Sequence, residues 1–300
     1  MSIALLLVGA TGSGKSELAL TIARANDAEI VGADSRQIYR GMRVGTAAPD
    51  DAAQRAVPHH CIEFLDPRER YSAAQYARDA IAAVREIRSR KRNVLIVGGT
   101  GFYLRVLKGE VELGARADDA TRTRLAREAQ CHPPEVLHEW LASRDPRRAA
   151  ELHHGDRYRI LRALEIVLAG CRPSEGAIPS LRSEGIAFRS IALNVPLREL
   201  DARIEARARA MFAGGLLDEA QRLGADAVAA DAVGYPQALA YLRGHATSDE
   251  AQSALSRATR RYARRQLAWF RRERDIEWLS PPEALRAAEE AFVLTPRQDV

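Results

Sequence analysis

Residues 9–16 read GATGSGKS, directly after the apolar run IALLLV and before ELALTIARA, whose Leu and Ala spacing is helical. The glycines Gly9, Gly12 and Gly14, with the small residues Ala10, Thr11 and Ser13, let the backbone fold into a nest of N–H donors. The helix that follows points its positive end at an anion. Lys15 adds a point charge and Ser16 a hydroxyl able to ligate Mg²⁺, so the octapeptide has the parts and the strand–helix context of a phosphate-binding P-loop. It does not encode whether the anion is a nucleoside triphosphate or another diphosphate.

Asp34 closes a second apolar run, in VGADSRQIY. The carboxyl ends of strands in an open parallel sheet face the ligand crevice, which suits Asp34 to act as a general base or a Mg²⁺-linked acid. An N-cap or Asx turn is the alternative for Asp followed by Ser. A third run, NVLIVGG, leads into TGFYL, where a P-loop nucleotidase often carries an acid that holds Mg²⁺. Glycines stand there instead. Gly98, Gly99 and Gly101 let a second backbone turn approach a ligand, with Thr100 as a hydroxyl donor, or let a strand-to-helix turn pack for its own sake. The missing acid argues against the rival reading, a P-loop small-molecule kinase.

Arginine is concentrated near the C-terminus. SRATRRYARRQLAWFRRER (256–274) reads as one helix, and residues 256–275 hold eight arginines against two acids, which leaves few local partners for salt bridges. Arg257, Arg261, Arg264, Arg265 and Arg272 fall on overlapping faces, giving a basic stripe beside Trp269 and Phe270 that suits a phosphate backbone and stacked bases. A second cluster, GDRYRILRALEIVL (155–168), sets Arg159 and Arg162 on one side of an otherwise apolar helix. Arg207 follows Arg203 by four residues on a helix whose apolar side is Leu200, Ile204 and Met211; by spacing it is equally a surface charge or an anion clamp. The adjacent pairs His59-His60 and His153-His154 lack metal-ligand spacing and read as loop hydrogen-bonders.

These residues need a scaffold. Strand-like runs at 3–8, 28–34 and 93–99 alternate with helical stretches, notably 72–90, where Ala73, Tyr76, Ala77, Ala80, Ile81 and Val84 form one face. Alternation of this kind predicts an α/β fold with a P-loop NTPase-like parallel sheet flanked by helices. A fourth strand at 188–195 comes only after an Arg- and Ala-rich helical stretch, 117–170, so a helical insertion interrupts the sheet. The expected division is a core at 1–114 and 187–300, which includes the basic C-terminal helices, and an insertion at 115–186 whose polar end, RPSEGAIPSLRSEGI (172–186), rejoins the core.

Composition bounds the class. Three hundred residues with 46% hydrophobic content suffice for a sizeable core, and the net charge of +5 with arginine unevenly placed suits a polyanionic partner. Cys61, Cys131 and Cys171 lie far apart without a C-x-x-C pair, which signals neither a disulfide framework nor a zinc site and fits a reducing cytoplasm. The apolar N-terminus lacks a basic flank and runs straight into the phosphate loop, and no run approaches the ~20 apolar residues of a membrane helix. The expectation is a soluble, cytoplasmic, monomeric enzyme.

In order, GATGSGKS, ADSRQIYRGMRVGTAAP, VPHHCIEFLDP, YSAAQYARDA, VGGTGFYLRVL, RYRILRALEI, AVGYPQAL and ARRQLAWFR resemble the motif series of the tRNA dimethylallyltransferase (tRNA isopentenyltransferase) family over nearly the whole chain. Two departures remove a positive charge each: Ala48 stands where the family's GTAKP has lysine, and Pro236 where VGYRQ has arginine. The resemblance implies transfer of a dimethylallyl group from dimethylallyl diphosphate, with Mg²⁺, to N6 of the adenosine 3′ to the anticodon of tRNA. It implies Asp34 as the base that orients the amine, Thr11 as a hydroxyl in the reaction channel and Arg207 as a clamp on the diphosphate. It further implies tRNA contacts from Asp34, Ser35, Arg36, Gln37, Thr100, Arg122, the run Tyr158, Arg159, Ile160, Leu161 and Arg162, the loop Val233, Gly234 and Tyr235, and Arg264, Arg265, Gln266, Trp269 and Arg271, with the insertion gripping the anticodon stem-loop.

Overall fold

The computed structural model describes residues 3–111, 113–114, 117–170 and 178–293. Cys171 and residues 172–177 of the expected rejoining loop lie outside the described residues. Six parallel strands, β1 (Ile3–Val8), β2 (Ala28–Gly32), β3 (His59–His60), β4 (Asn93–Gly98), β5 (Ala187–Leu193) and β6 (Ile276–Leu279), form one sheet in the order β3-β2-β4-β1-β5-β6. The four expected strands are all present, each within two residues of its expected ends.

The two edge strands escaped the sequence reading. His59 and His60 pair with Ile30 and Val31, and a two-residue strand has no period to detect. Ile276–Leu279 pairs with Ser190–Leu193, and its outward Glu277 is tied to Arg189 Nε at 2.8 Å. Its sequence, IEWL, follows directly on the basic tail and offers one alternation only.

Strand alternation divides the core. Leu5, Leu7, Leu95, Ile191 and Leu193 pack under the helices Lys15–Ala25 and Pro281–Val293. The helix Ala73–Ser89 packs over β2 and β4, with all six residues of its expected face buried and a capping box between Ser72 and Gln75 at its start. The basic helix runs from Ser248 to Phe270, capped by Thr247 and Glu250, so Arg272 and Arg274 lie beyond it and do not extend its stripe. Because β2, β4 and β1 are neighbours, the segments that follow them, which carry Asp34, Thr100 and the phosphate loop, emerge side by side at one end of the sheet.

The chain forms two compact units, Met1–Glu110 with Pro179–Val300, and Val111–Ile178. Pro179–Ile186, attached by composition to the insertion, belongs with the sheet: Leu181 N–H donates to the Leu107 carbonyl at 2.8 Å. The second unit has its own core of Leu125, Leu137, Leu141, Ile160 and Leu164, and Asp118 and Asp156 cap the helices that carry Leu125 and the pair Ile160 and Leu164. Pro134 and Pro146 fall in first helical turns, where the sequence places them.

One buried charge fastens the β3 edge. Glu29, 2% exposed, accepts from Arg90 Nη2 at 2.7 Å and Nε at 3.1 Å and is paired with His60 Nε2 at 2.7 Å. Burial alone would raise its pKa, but the hydrogen bonds from Arg90 and His60 outweigh burial and hold the carboxyl below its ordinary 4.5. A depressed carboxyl contributes stability that is present above its unfolded pKa and lost as pH falls through the folded one. Glu29→Gln is therefore expected to cost about 1–3 kcal/mol of unfolding free energy at neutral pH. In denaturant titrations across pH, the gap between variant and wild type should close below 4.5.

Candidate active site

The phosphate loop is buttressed from beneath. Ala10, 1% exposed, packs with Leu200, Ile204, Ala263 and Leu267, residues of the helices Leu197–Ala213 and Ser248–Phe270. Gly14 caps the following helix at φ 89°, a left-handed conformation in which a Cβ would also sit 3.2 Å from Arg203 Nη1. Among the described residues, the N–H groups of Gly12, Gly14, Lys15 and Ser16 donate to no protein acceptor. They are the orphan donors of a helix start and a glycine turn, which is what an anion needs.

Two cations close this cradle. Lys15 Nζ donates to the Ala10 carbonyl at 2.8 Å. Burial pulls its pKa down from 10.5 to about 8, with the neighbouring Arg207 adding to the fall and Asp34 opposing it. Arg207 Nη1 lies 3.4 Å from Thr11 Oγ, and burial lowers its pKa too. The sequence left Arg207 between surface charge and clamp; the structure places it against the phosphate loop. Arg203, one turn earlier, donates to the Ser13 carbonyl at 3.2 Å, a role the sequence reading missed although its i, i+4 spacing from Arg207 carries the signal.

Asp34 makes the Asx turn that was the alternative: its Oδ1 accepts from Arg36 N–H at 2.9 Å. Oδ2 has no hydrogen-bond partner among the described residues, so the carboxylate keeps one oxygen for chemistry. Thr100 fixes this turn, accepting from Ser35 N–H at 3.0 Å and donating to Ser35 Oγ at 3.3 Å, so its hydroxyl is spent on protein. Burial and then the Asp34 charge push the Tyr262 phenol upward, so Asp34 lies within electrostatic reach of the basic helix, where Arg265 lies 5.6 Å from the Tyr262 ring centre.

The glycines after β4 serve packing. A Cβ on Gly98 would lie 2.1 Å from the Ala33 carbonyl oxygen, one on Gly99 2.2 Å from Gln266 Nε2, and one on Gly101 2.1 Å from Trp269 Nε1. Trp269 and Gln266 fill the space a ligand was expected to approach. Phe270 is 1% exposed and offers no ring for a base to stack on.

Other expected contacts divide by exposure. Tyr158 is 81% exposed and the neighbouring Arg159 is exposed as well, whereas Ile160 is fully buried and Leu161 packs against the core of the second unit. Arg122 and Arg162 both reach Glu165, at 3.7 and 2.8 Å. Tyr235 is fully buried and donates to Glu219 Oε1 at 2.6 Å; Glu219 in turn accepts from the N–H groups of Val44 and Gly45. Gly234, buried at φ 115°, caps the start of the helix Tyr235–Leu242 and Val233 packs beside it, so this segment supports the short helix Arg43–Thr46 from within. Gln37 donates to the Thr46 and Ala47 carbonyls, and Arg36 pairs with Asp231 at 2.8 Å. Arg264 pairs with Asp201 at 3.0 Å, a partner from another helix that the local count of acids did not reveal. Arg271 is exposed and, among the described residues, in no ion pair.

A nest of free N–H groups, two half-buried cations and a half-free carboxylate meet at the end of a parallel sheet, an anion cradle beside a carboxylate in a P-loop fold. The IPP transferase family model matches residues 37–273. The chain is 45% identical to a tRNA dimethylallyltransferase of Anaeromyxobacter sp. (strain Fw109-5), covering 94% of this chain and 96% of that protein. The crystal structure of a full-length tRNA isopentenylpyrophosphate transferase from Bacillus halodurans aligns over 98% of both chains with TM-score 0.70 and 32% identity. A eukaryotic dimethylallyltransferase acting on tRNA shares the fold, with TM-score 0.82 over 100% of this chain and 81% of that one at 22% identity. This chain belongs to the IPP transferase family.

The Lys15 environment sets a pH dependence. The ammonium that meets an anion is lost as pH rises through about 8 in the anion-free protein. Affinity for inorganic diphosphate, measured by calorimetry and divided by that of Lys15→Ala to remove the ligand's own titration, is expected to fall above that value by about tenfold per pH unit. A flat ratio from pH 7 to 10 would mean that Lys15 does not meet the anion.

Proposed function

We propose that the chain transfers a dimethylallyl group from dimethylallyl diphosphate to N6 of the adenosine 3′ to the tRNA anticodon, releasing diphosphate. The observation that carries this reading is the juxtaposition of an anion cradle with a single carboxylate, in a P-loop fold that has Gly98-Gly99 where a kinase would carry an acid. The bond between the dimethylallyl C1 and the diphosphate oxygen breaks as a bond from N6 forms, and a proton leaves N6. An exocyclic amine is a poor nucleophile because its lone pair is delocalised, so the free oxygen of Asp34 orients the amine and takes that proton. The cradle, Lys15 and Arg207 stabilise the charge that develops on the leaving oxygen, with Thr11 held beside Arg207 in the channel.

The donor set fits Mg²⁺. Ser16 is exposed at the start of its helix with a free N–H, and among the described residues no group of three acidic, His or Cys side chains forms a protein-only site. Mg²⁺ keeps waters and binds through few protein oxygens plus substrate phosphates, so Ser16 and the diphosphate would hold it. When bound, the ion neutralises charge on the leaving diphosphate.

The adenosine must leave its stack to reach Asp34, which suits single-stranded loop recognition by arginines and aromatics. Tyr158, Arg159, Arg264, Arg265 and Arg271 supply exposed groups for that contact, and the second unit grips the anticodon stem. Ile160, Leu161, Tyr235 and Gln266 act from within the protein instead. No described helix is long and apolar enough to cross a membrane, and we read the chain as a cytoplasmic monomer.

Incubation with unmodified tRNA and either labelled dimethylallyl diphosphate or γ-labelled ATP separates this reading from a kinase: label is expected in tRNA from the first alone. Asp34→Asn should lower kcat by at least about a hundredfold while tRNA affinity stays within about twofold, because the lost group acts on the proton. Equal loss of tRNA binding would make Asp34 a recognition residue. Arg271→Ala should reduce the salt slope of tRNA binding by about one, and an unchanged slope would remove that arginine from the phosphate path.

A further inference from the structure

The phosphate loop contains one peptide group pinned on both sides. The Ala10 carbonyl accepts from Lys15 Nζ at 2.8 Å and from Ser13 N–H at 3.3 Å. The N–H of that same peptide, on Thr11, donates to Gln266 Oε1 at 2.8 Å. Gln266 is 6% exposed, and its Nε2 donates to the Gly99 carbonyl at 2.9 Å. The partners fix the amide's orientation, since a backbone N–H only donates and a carbonyl only accepts. A glutamate could not donate to Gly99, and a methionine or lysine could not serve both partners.

The constraint matters because of where the peptide lies. Gly9 and Gly12 flank it, and glycine leaves a backbone free to rotate. Turning the peptide over would carry the Ala10 carbonyl away from Lys15 and leave a half-buried ammonium without its acceptor. It would also alter the polarity presented by the loop at its first turn. Gln266 opposes that rotation, and its own place is set by Gly99, where any side chain would strike its amide 2.2 Å away.

We propose that Gln266 is a positioning residue for the diphosphate site: it locks the Ala10–Thr11 peptide, and through it Lys15, so that the helix bearing the exposed arginines also sets the conformation of the phosphate loop. This rests on reading the loop as the diphosphate site. It assigns Gln266 to the prenyl-donor side of the reaction, although the residue sits within the arginine-rich tRNA-binding motif.

Two full-length variants test it from opposite sides. Gln266→Met keeps the side-chain length and loses both hydrogen bonds; Gly99→Ala keeps Gln266 and displaces its amide. Each is expected to weaken inorganic diphosphate binding by calorimetry, and to raise KM for dimethylallyl diphosphate, by about tenfold, the effect of one to two net hydrogen bonds. The tRNA Kd by fluorescence anisotropy should stay within about twofold. The kcat at saturating dimethylallyl diphosphate should stay within about twofold, a split between KM and kcat that a general loss of packing would not give. If Gln266→Met fails to fold, Gly99→Ala decides. Wild-type binding of diphosphate with unchanged binding in the folded variants, or a loss confined to tRNA affinity, overturns the assignment. Wild-type protein that binds no diphosphate overturns it together with the donor-site reading.

Discussion

Lys15 and Arg207 lie close enough to repel each other, in a recess that has taken both partly out of water. Like charges in such a place are costly unless dipoles and counter-charge are fixed around them. The neighbouring structure answers that need piece by piece. The Ala10 carbonyl takes the Lys15 ammonium, the Thr11 hydroxyl faces Arg207, and Asp34 supplies the opposite charge from the next strand but one. The helices Leu197–Ala213 and Ser248–Phe270 pack Leu200, Ile204, Ala263 and Leu267 against Ala10, so the loop is held by packing as well as by hydrogen bonds. A site organised this way would spend little on reordering itself when an anion enters, which is the condition for electrostatic stabilisation of a leaving group.

Much of this was legible in the sequence because its signals are local. The phosphate loop, the strands expected at 3–8 and 93–99 and the buried face of the helix Ala73–Ser89 follow from glycine spacing and hydrophobic period. What stayed hidden depends on contacts between distant segments. Arg207 has the spacing of any helical surface charge, and its burial comes from the fold. Gln266 and Tyr235 sit in motifs that resemble tRNA contacts, yet both point inward, at 6% and 0% exposure. A buried polar residue inside a basic motif carries no local mark. Its partners, Thr11 and Gly99 for Gln266 and Glu219 for Tyr235, lie on other elements.

The glycines after β4 show how a sequence signal can be right in kind and wrong in object. Three small residues do permit close approach, but the approaching groups are the Ala33 backbone, the Gln266 amide and the Trp269 ring. The same crowding excludes an acid at the end of β4. With the Ala33 carbonyl 2.1 Å from where a Cβ on Gly98 would stand, no side chain of any kind fits there, and the carboxylate of the site has to come from β2.

That displacement has chemical consequences. An acid after β4 would sit beside the phosphate loop as a second carboxylate, suited to holding a metal against a triphosphate that is to be attacked at phosphorus. Asp34 is placed differently. One of its oxygens is consumed by the turn that Thr100 braces, which fixes the carboxylate plane, and the other is left free beside Tyr262 and the basic helix. A single oriented carboxylate oxygen next to a basic surface serves a proton on an incoming nucleophile better than it serves a metal. In the proposed reaction the geometry separates the two halves: the loop and its cations serve the departing diphosphate, and Asp34 serves the amine.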